Sequence, residues 1–191
     1  MLGSDNDIHT NAINEESDEK SLVIAAKQNP KEFSGLYLKY VKRVFQYSYS
    51  RIGNLQEAED ITAQTFLAAF TTLDRFRNNA PFAAWLFSIA RNKVMDHFRH
   101  QKVLIPVVEE NQESEDQDLL ENTIHSEQVN NLSNLIQKLN DDDRELLRLR
   151  FMADMSFPEI AHLLQRNEGT VKKAIYRLLD RLHNQVEDSN V

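Results

Sequence analysis

A chain of 191 residues with 41% hydrophobic residues can form one or two folded domains with apolar cores. Its four glycines and four prolines leave few sites for tight hairpin turns, and the absence of cysteine excludes disulfides, thiol catalysis and cysteine-based metal centres. A net charge of −8 excludes a uniformly basic protein, so any surface for an anionic partner must be local.

Acidic and basic segments alternate along the chain. Residues 1–20 hold six acidic side chains against one basic, and residues 103–131 hold eight acidic side chains and no Lys or Arg. Between them, residues 21–102 hold twelve basic side chains against six acidic. Acidic segments without apolar periodicity do not bury enough apolar surface to offset the entropy of ordering. We therefore expect a disordered acidic tail over 1–20, a folded domain over 21–102, a flexible acidic linker over 103–126, a second folded domain over 127–186 and a tail over 187–191.

The first domain is predicted to be a bundle of four helices. Breaks at Asn29-Pro30 and at Gly53-Asn54 delimit a long amphipathic helix over residues 31–52. A helix over about 56–73 follows, and it begins with acidic side chains, which suit a helix N-terminus. Residues 74–80 are expected to form a loop, after which Pro81 opens a helix whose apolar stripe continues to Phe98. The opposite face of that last helix is polar.

The second domain contains the most specific local pattern. Ser156-Phe-Pro-Glu159 is a capping box that starts a short helix ending at Leu164. A three-residue turn follows, and Asn167 can cap a second helix with a basic outer face. The buried stripe of this second helix is predicted to comprise Val171, Ala174, Ile175, Leu178 and Leu182. Two short helices joined in this way predict a helix-turn-helix, the geometry that places side chains in a DNA major groove.

Neither export nor catalysis is indicated by the sequence. The chain does not open with the basic segment followed by an apolar segment that is typical of a signal peptide. No apolar run approaches the roughly 18 residues needed to span a bilayer. The six histidines form no ligand set, and no Gly-rich phosphate loop is present. We therefore expect a cytoplasmic protein without membrane insertion, enzymatic activity, a metal site or a cofactor.

Two sets of motifs follow one another along the chain. The first is EAEDITAQTF over residues 57–66 with FAAWLFSIARNKVMDHFR over 82–99. The second is LLRLRF over 146–151, SFPEIA over 156–161 and EGTVK over 168–172. In this order they resemble the extracytoplasmic-function (ECF) group of bacterial RNA polymerase sigma factors, from Ser21 to Val186 apart from the linker. The resemblance implies an all-α protein, in which a domain that binds promoter and polymerase precedes a helix-turn-helix domain.

The resemblance also implies partners and residue roles. The partners are core RNA polymerase, bound through its clamp helices and flap, promoter DNA that the subunit recognises and begins to melt, and an anti-sigma factor. Contacts to core polymerase are expected from Asp60, Gln64 and Thr65. Contacts to the minus-10 element, where an aromatic wall and hydrogen-bonding groups suit a flipped base, are expected from Phe76, Arg77, Asn92, Asp96 and Arg99. Contacts to bases and phosphates of the minus-35 element are expected from Arg150, Glu168, Thr170, Lys172, Lys173 and Arg177.

Two other classes of protein are compatible with the same residues. A helix-turn-helix regulator whose first domain senses a signal or dimerises predicts a stable dimer that binds a palindrome without polymerase. A helical adaptor that binds only proteins predicts that charge reversal at Lys172 and Lys173 has no effect. The polar stripes of the helices are also compatible with plain solvent-exposed faces.

Overall fold

The structure is a computed structural model that describes residues 18–77, 79–104 and 132–188. Within these ranges every regular element is helical, which confirms the predicted all-α class. The described residues divide into two compact units, with the boundary between His100 and Gln101. Most of the predicted acidic tail and of the predicted linker lies outside the described residues.

The described part of the first unit contains four α-helices. They are α1 (residues 18–28), α2 (Phe33–Ile52), α3 (Leu55–Thr72) and α4 (Phe82–Leu104), with short 3-10 turns at Pro30–Glu32 and Leu73–Arg75. Gly53 ends α2 with a φ of 77°, a left-handed conformation that glycine adopts without strain. The side chain of Asn54 then caps α3 by accepting a hydrogen bond from the backbone N of Glu57 at 3.0 Å.

The observed boundaries differ from the expected ones at several places, two of which lie near the start of the first unit. Residues 18–20 belong to α1 rather than to the acidic tail, because Glu19 accepts hydrogen bonds from groups on α2 and α4. The long helix α2 starts at Phe33 instead of residue 31, since Pro30 opens a 3-10 turn that Asn29 caps.

Apolar residues from all four helices fill the core of the first unit. Those buried on α4 are Phe82, Ala83, Ala84, Leu86, Phe87, Ala90 and Val94. Leu36, Tyr40, Val44 and Tyr47 of α2, Phe66 of α3, and Val23 and Ala26 of α1 are buried as well. The rings of Tyr47 and Phe87 meet edge to face at 5.7 Å. Aromatic and aliphatic side chains therefore share the core of this unit.

Four further helices lie in the residues of the second unit that the structure describes. They are α5 (residues 132–137), α6 (Asp141–Leu147), α7 (Phe157–Leu164) and α8 (Glu168–Asp188). A π-helical segment, Arg148–Met152, directly continues α6. The buried apolar residues of this unit are Leu139, Leu146, Leu147, Leu149, Ala153, Met155, Ile160, Ala161, Val171, Ile175, Leu178 and Leu182.

The predicted helix-turn-helix is present in the second unit. The capping box is confirmed: the Glu159 carboxylate accepts from the backbone N of Ser156 at 2.7 Å, and the Ser156 side chain accepts from the backbone N of Glu159. Gln165 closes α7 in the left-handed conformation, and Asn167 accepts a hydrogen bond from the backbone N of Gly169 at 2.9 Å. The turn between the two helices is thus fixed from both sides.

Truncation of Leu86, which is fully buried on α4, should destabilise the first unit. Leu86→Ala removes packed atoms and leaves a cavity, so the free energy of unfolding is expected to fall by about 2 to 5 kcal/mol. Urea unfolding followed by the fluorescence of Trp85, the only tryptophan in the chain, measures this loss. Leu38→Ala is the control, since Leu38 is 74% exposed on α2 and its truncation should change stability by less than about 0.5 kcal/mol. Equal losses in both variants would contradict the assigned core.

Candidate nucleic-acid interface

The outer face of α8 carries most of the residues expected to contact the minus-35 element. Glu168, Thr170, Lys172, Lys173 and Arg177 are all exposed. The opposite face of the same helix packs into the core through the predicted stripe, of which only Ala174 is incompletely buried. Burial of one face therefore fixes the orientation of the basic face toward solvent.

The Phe157 ring on α7 gathers cationic and aromatic groups from both sides of the turn. The Arg150 guanidinium lies 5.0 Å from the ring centroid, and the Lys172 ammonium lies 5.9 Å from it. The Tyr176 ring lies 5.9 Å away, so α7 and α8 share this cluster. The Lys172 side chain therefore extends from α8 next to the Phe157 ring.

Arg150, which is also expected to contact the minus-35 element, is less exposed than the residues on the outer face of α8. Its guanidinium is half-buried and donates a hydrogen bond from Nη1 to the backbone O of Met155 at 2.8 Å. Together with the stacking on Phe157, this bond ties the π-helical segment to the start of α7. The geometry therefore gives Arg150 a structural contact in addition to any DNA contact.

Tyr176 is an exposed residue that the sequence-based selection of site residues omitted. It is 50% exposed and lies one helical turn after Lys172 and next to Arg177. The signal was available in the sequence, because an aromatic residue at the fourth position after Lys172 interrupts an otherwise polar face. An exposed aromatic among cations offers apolar contact to a base edge or sugar.

The first turn of α6 pairs three consecutive aspartates with three arginines. Asp141 pairs with Arg144 at 2.6 Å, Asp142 with Arg166 at 3.0 Å and Asp143 with Arg181 at 2.7 Å. Arg166 belongs to the turn of the helix-turn-helix and Arg181 to α8, so these ion pairs link α6 to both. The cationic charge on the outer face of α8 is thereby concentrated on Lys172, Lys173 and Arg177.

In the first unit, the outer face of α4 carries three of the residues expected at the minus-10 element. Asn92, Asp96 and Arg99 are exposed, and their spacing of four and three residues places them on one side of the helix. Arg99 pairs with Asp96 at 3.3 Å, and both side chains remain more than half exposed. Arg77, in the α3–α4 loop (residues 76–81), is exposed as well. This face offers donors and acceptors in the same patch.

Phe76, the aromatic residue expected to face a flipped base, lies in the core. Its side chain is only 5% exposed, and its ring packs 5.5 Å from Phe82 and 5.1 Å from Trp85. An aromatic side chain at the start of a loop gains more by joining a neighbouring aromatic cluster than by standing in water. The expected aromatic wall is therefore not formed by Phe76 in this structure.

The residues expected to contact core polymerase divide between the two sides of α3. Asp60 and Gln64 are exposed, and Leu67, which the sequence-based selection omitted, is 65% exposed on the same side. Thr65 is fully buried, and its hydroxyl donates to the backbone O of Ile61 at 2.7 Å. Thr65 therefore faces the interior, where a partner protein does not reach it.

Among the described residues, no group of three or more His, Asp or Glu side chains is arranged to hold a metal ion. In the same part of the chain, no helix combines the length and apolar character needed to cross a bilayer.

Family models match both units. The model for Sigma-70 region 2 matches residues 36–103, and the model for Sigma-70 region 4 matches residues 130–182. The ECF RNA polymerase sigma factor SigW of Bacillus subtilis is 31% identical over 160 residues, which cover 78% of this chain and 86% of that protein. The ECF RNA polymerase sigma factor BldN of Streptomyces coelicolor is 33% identical over 162 residues, which cover 82% of this chain but only 61% of BldN.

A solved structure shares the fold of this chain. It is the sigma factor RpoE from Bartonella quintana in complex with the anti-sigma factor NepR. The TM-score is 0.57 at 20% identity, and the match covers 82% of this chain and 98% of that chain. At this identity the likeness concerns the helical fold.

Replacing Arg150 should destabilise the second unit, whereas replacing an exposed lysine of α8 should not. Arg150→Met removes the hydrogen bond to Met155 and the stacking on Phe157, so we expect local stability around α7 to fall by about 1 to 2 kcal/mol. Native-state hydrogen exchange of the α7 and α8 amides measures this loss. Lys173→Met, at an exposed position, is the control and should change exchange by less than about 0.5 kcal/mol. Unchanged exchange in Arg150→Met would refute the anchoring contact.

Proposed function

The chain belongs to the ECF group of bacterial RNA polymerase sigma factors, and from this premise we propose how its two units act at a promoter. The first unit contacts core polymerase and the minus-10 element, and the second contacts the minus-35 element. The observation that carries the proposal is the order of the two units: a helical unit with a polar α4 face precedes a helix-turn-helix unit with a basic α8 face.

The minus-35 element is read by the outer face of α8. Lys172, Lys173 and Arg177 contact guanine or phosphate, Glu168 accepts from cytosine, and Thr170 contacts the backbone or a base edge. One good base contact discriminates between bases by about 1 to 3 kcal/mol. Since several cations meet phosphates, affinity for DNA should fall steeply with salt.

The minus-10 element is opened at the outer face of α4 and the α3–α4 loop. Arg77, Asn92, Asp96 and Arg99 supply the hydrogen-bonding groups that a base flipped from the stack requires. Opening a duplex costs about 1.4 kcal/mol per base-pair step, whereas stacking one freed base gains about 1 to 3 kcal/mol. One captured base can therefore start melting, and contacts made by the polymerase complete it.

Core polymerase binds the exposed side of α3, where Asp60, Gln64 and Leu67 combine polar and apolar contacts for the clamp helices. The flap binds the second unit. An anti-sigma factor, the kind of partner named for RpoE of Bartonella quintana, competes for these surfaces. The protein acts in the cytoplasm with the polymerase, and it contributes binding energy rather than bond chemistry.

Reconstitution with purified core RNA polymerase tests the proposal. We expect this chain to direct discrete transcription start sites on a library of promoter fragments, and a polymerase without it to give none of them. A helix-turn-helix regulator would instead form a dimer on a palindrome without polymerase, which analytical ultracentrifugation and a gel shift detect. Transcription unchanged by the added chain would refute the proposal.

Charge reversal on α8 tests the minus-35 assignment. The double variant Lys172→Glu with Lys173→Glu should lower holoenzyme affinity for a selected promoter by at least about a hundredfold, because two phosphate or base contacts become repulsive. Fluorescence anisotropy at several salt concentrations measures the affinity and its salt dependence. Lys138→Glu, at an exposed position after α5, is the matched control and should leave both nearly unchanged. Equal behaviour of the two variants would favour an adaptor that binds only proteins.

A further inference from the structure

Helix α1 reaches the end of the α3–α4 loop through Glu19. One oxygen of the Glu19 carboxylate accepts a hydrogen bond from the backbone N of Phe82 at 2.9 Å, and the other accepts from the Tyr40 hydroxyl. Because Pro81 has no N–H, the Phe82 amide is the first donor of α4, and a helix leaves such donors without intrahelical partners. A carboxylate at this position also interacts favourably with the helix dipole. Glu19 thus caps a helix that begins 63 residues later.

The same helix reaches the start of the loop through Lys27. The Lys27 ammonium donates to the backbone O of Phe76 at 2.5 Å and lies 5.8 Å from the centroid of the Phe76 ring. Glu19 and Lys27 are eight residues apart, which is about 12 Å along a helix. Both ends of the α3–α4 loop are therefore attached to α1 by charged side chains.

Close packing holds α1 in place between these two contacts. Val23 and Ala26, on the same side of the helix as Glu19 and Lys27, are buried. Leu22 lies over Gly35 of α2, where an added Cβ would come 2.8 Å from the Leu22 Cδ2 atom. Because α1 is packed this closely, it can hold the attached ends of the α3–α4 loop in fixed positions.

We propose that Glu19 and Lys27 are positioning residues for promoter opening, which set the geometry of the α3–α4 loop at both of its ends. This inference rests on the proposed function, since the loop carries Arg77 and leads into the α4 face that receives the flipped base. Hydrogen-bonding groups discriminate between bases only if they are held within a fraction of an ångström of the productive geometry. Phe76 takes part by anchoring the loop in the core rather than by stacking on DNA.

Selectivity at the minus-10 element tests the positioning role. Holoenzyme is assembled with Glu19→Gln, and rates of open-complex formation are compared on a library-selected promoter and on a copy with one substituted minus-10 base. The ratio of the two rates should fall about tenfold, the size expected for losing one charge-assisted hydrogen bond, while affinity for core polymerase stays within about twofold. Lys27→Met should lower the ratio similarly. Asp18→Asn and Lys31→Met, at exposed neighbouring positions, are the matched controls and should leave it unchanged.

Hydrogen exchange in the free protein gives a readout that is independent of polymerase. The amides of residues 79, 80 and 82–84 should exchange faster in Glu19→Gln than in Asp18→Asn. A general loss of folding would slow opening on both promoters equally and leave the ratio unchanged, and that result would overturn the proposal. An unaltered ratio in a stable Glu19→Gln protein would overturn it as well. If wild-type holoenzyme opened no promoter, the proposed function itself would be refuted. If wild-type holoenzyme opened promoters and the rate ratio of the variants were unchanged, only the positioning role would be refuted.

Discussion

Burial of the inner face of α4 is the constraint on which the first unit depends. Phe82, Leu86, Ala90 and Val94 recur every four residues and are almost fully removed from water in the core of the unit. Because a helix is rigid, this inner stripe also decides which residues face outward, and Asn92, Asp96 and Arg99 are left in solvent on one side. The same helical periodicity therefore determines both the buried packing surface and the polar recognition surface of α4.

In the second unit, too, a buried helix face fixes which residues face outward, and the caps at the helix ends add to this constraint. The inner stripe of α8 is buried, while the capping box at Ser156 and the left-handed residue Gln165 fix where α7 starts and ends. A small unit has a modest core, so caps and ion pairs carry a larger share of its stability. The three aspartates at the start of α6 add contacts that hold the turn and α8 in one arrangement.

Local patterns were readable from the sequence, whereas contacts between distant residues were not. Periodicity and capping chemistry predicted α2, α3, α4, the helix-turn-helix and the basic outer face of α8, since these depend on neighbours within about eight residues. They did not delimit α1, α5 or α6. The burial of Phe76 and Thr65 depends on the side chains that pack beside them, and no local pattern encodes that. Glu19 looked like one more acid of a disordered tail, because its partners lie on α2 and α4.

The π-helical segment Arg148–Met152 limits how this unit tolerates changes in length. The backbone N of Ala153 donates to the backbone O of Arg148, five residues earlier, so this turn holds one residue more than an α-helical turn. Removing that residue would rotate the downstream backbone by about 100°, and the Arg150 side chain would lose its alignment with Met155. Chimeras that exchange recognition helices between related chains should therefore be joined outside residues 148–156. A junction outside this segment leaves the register of the helix unchanged.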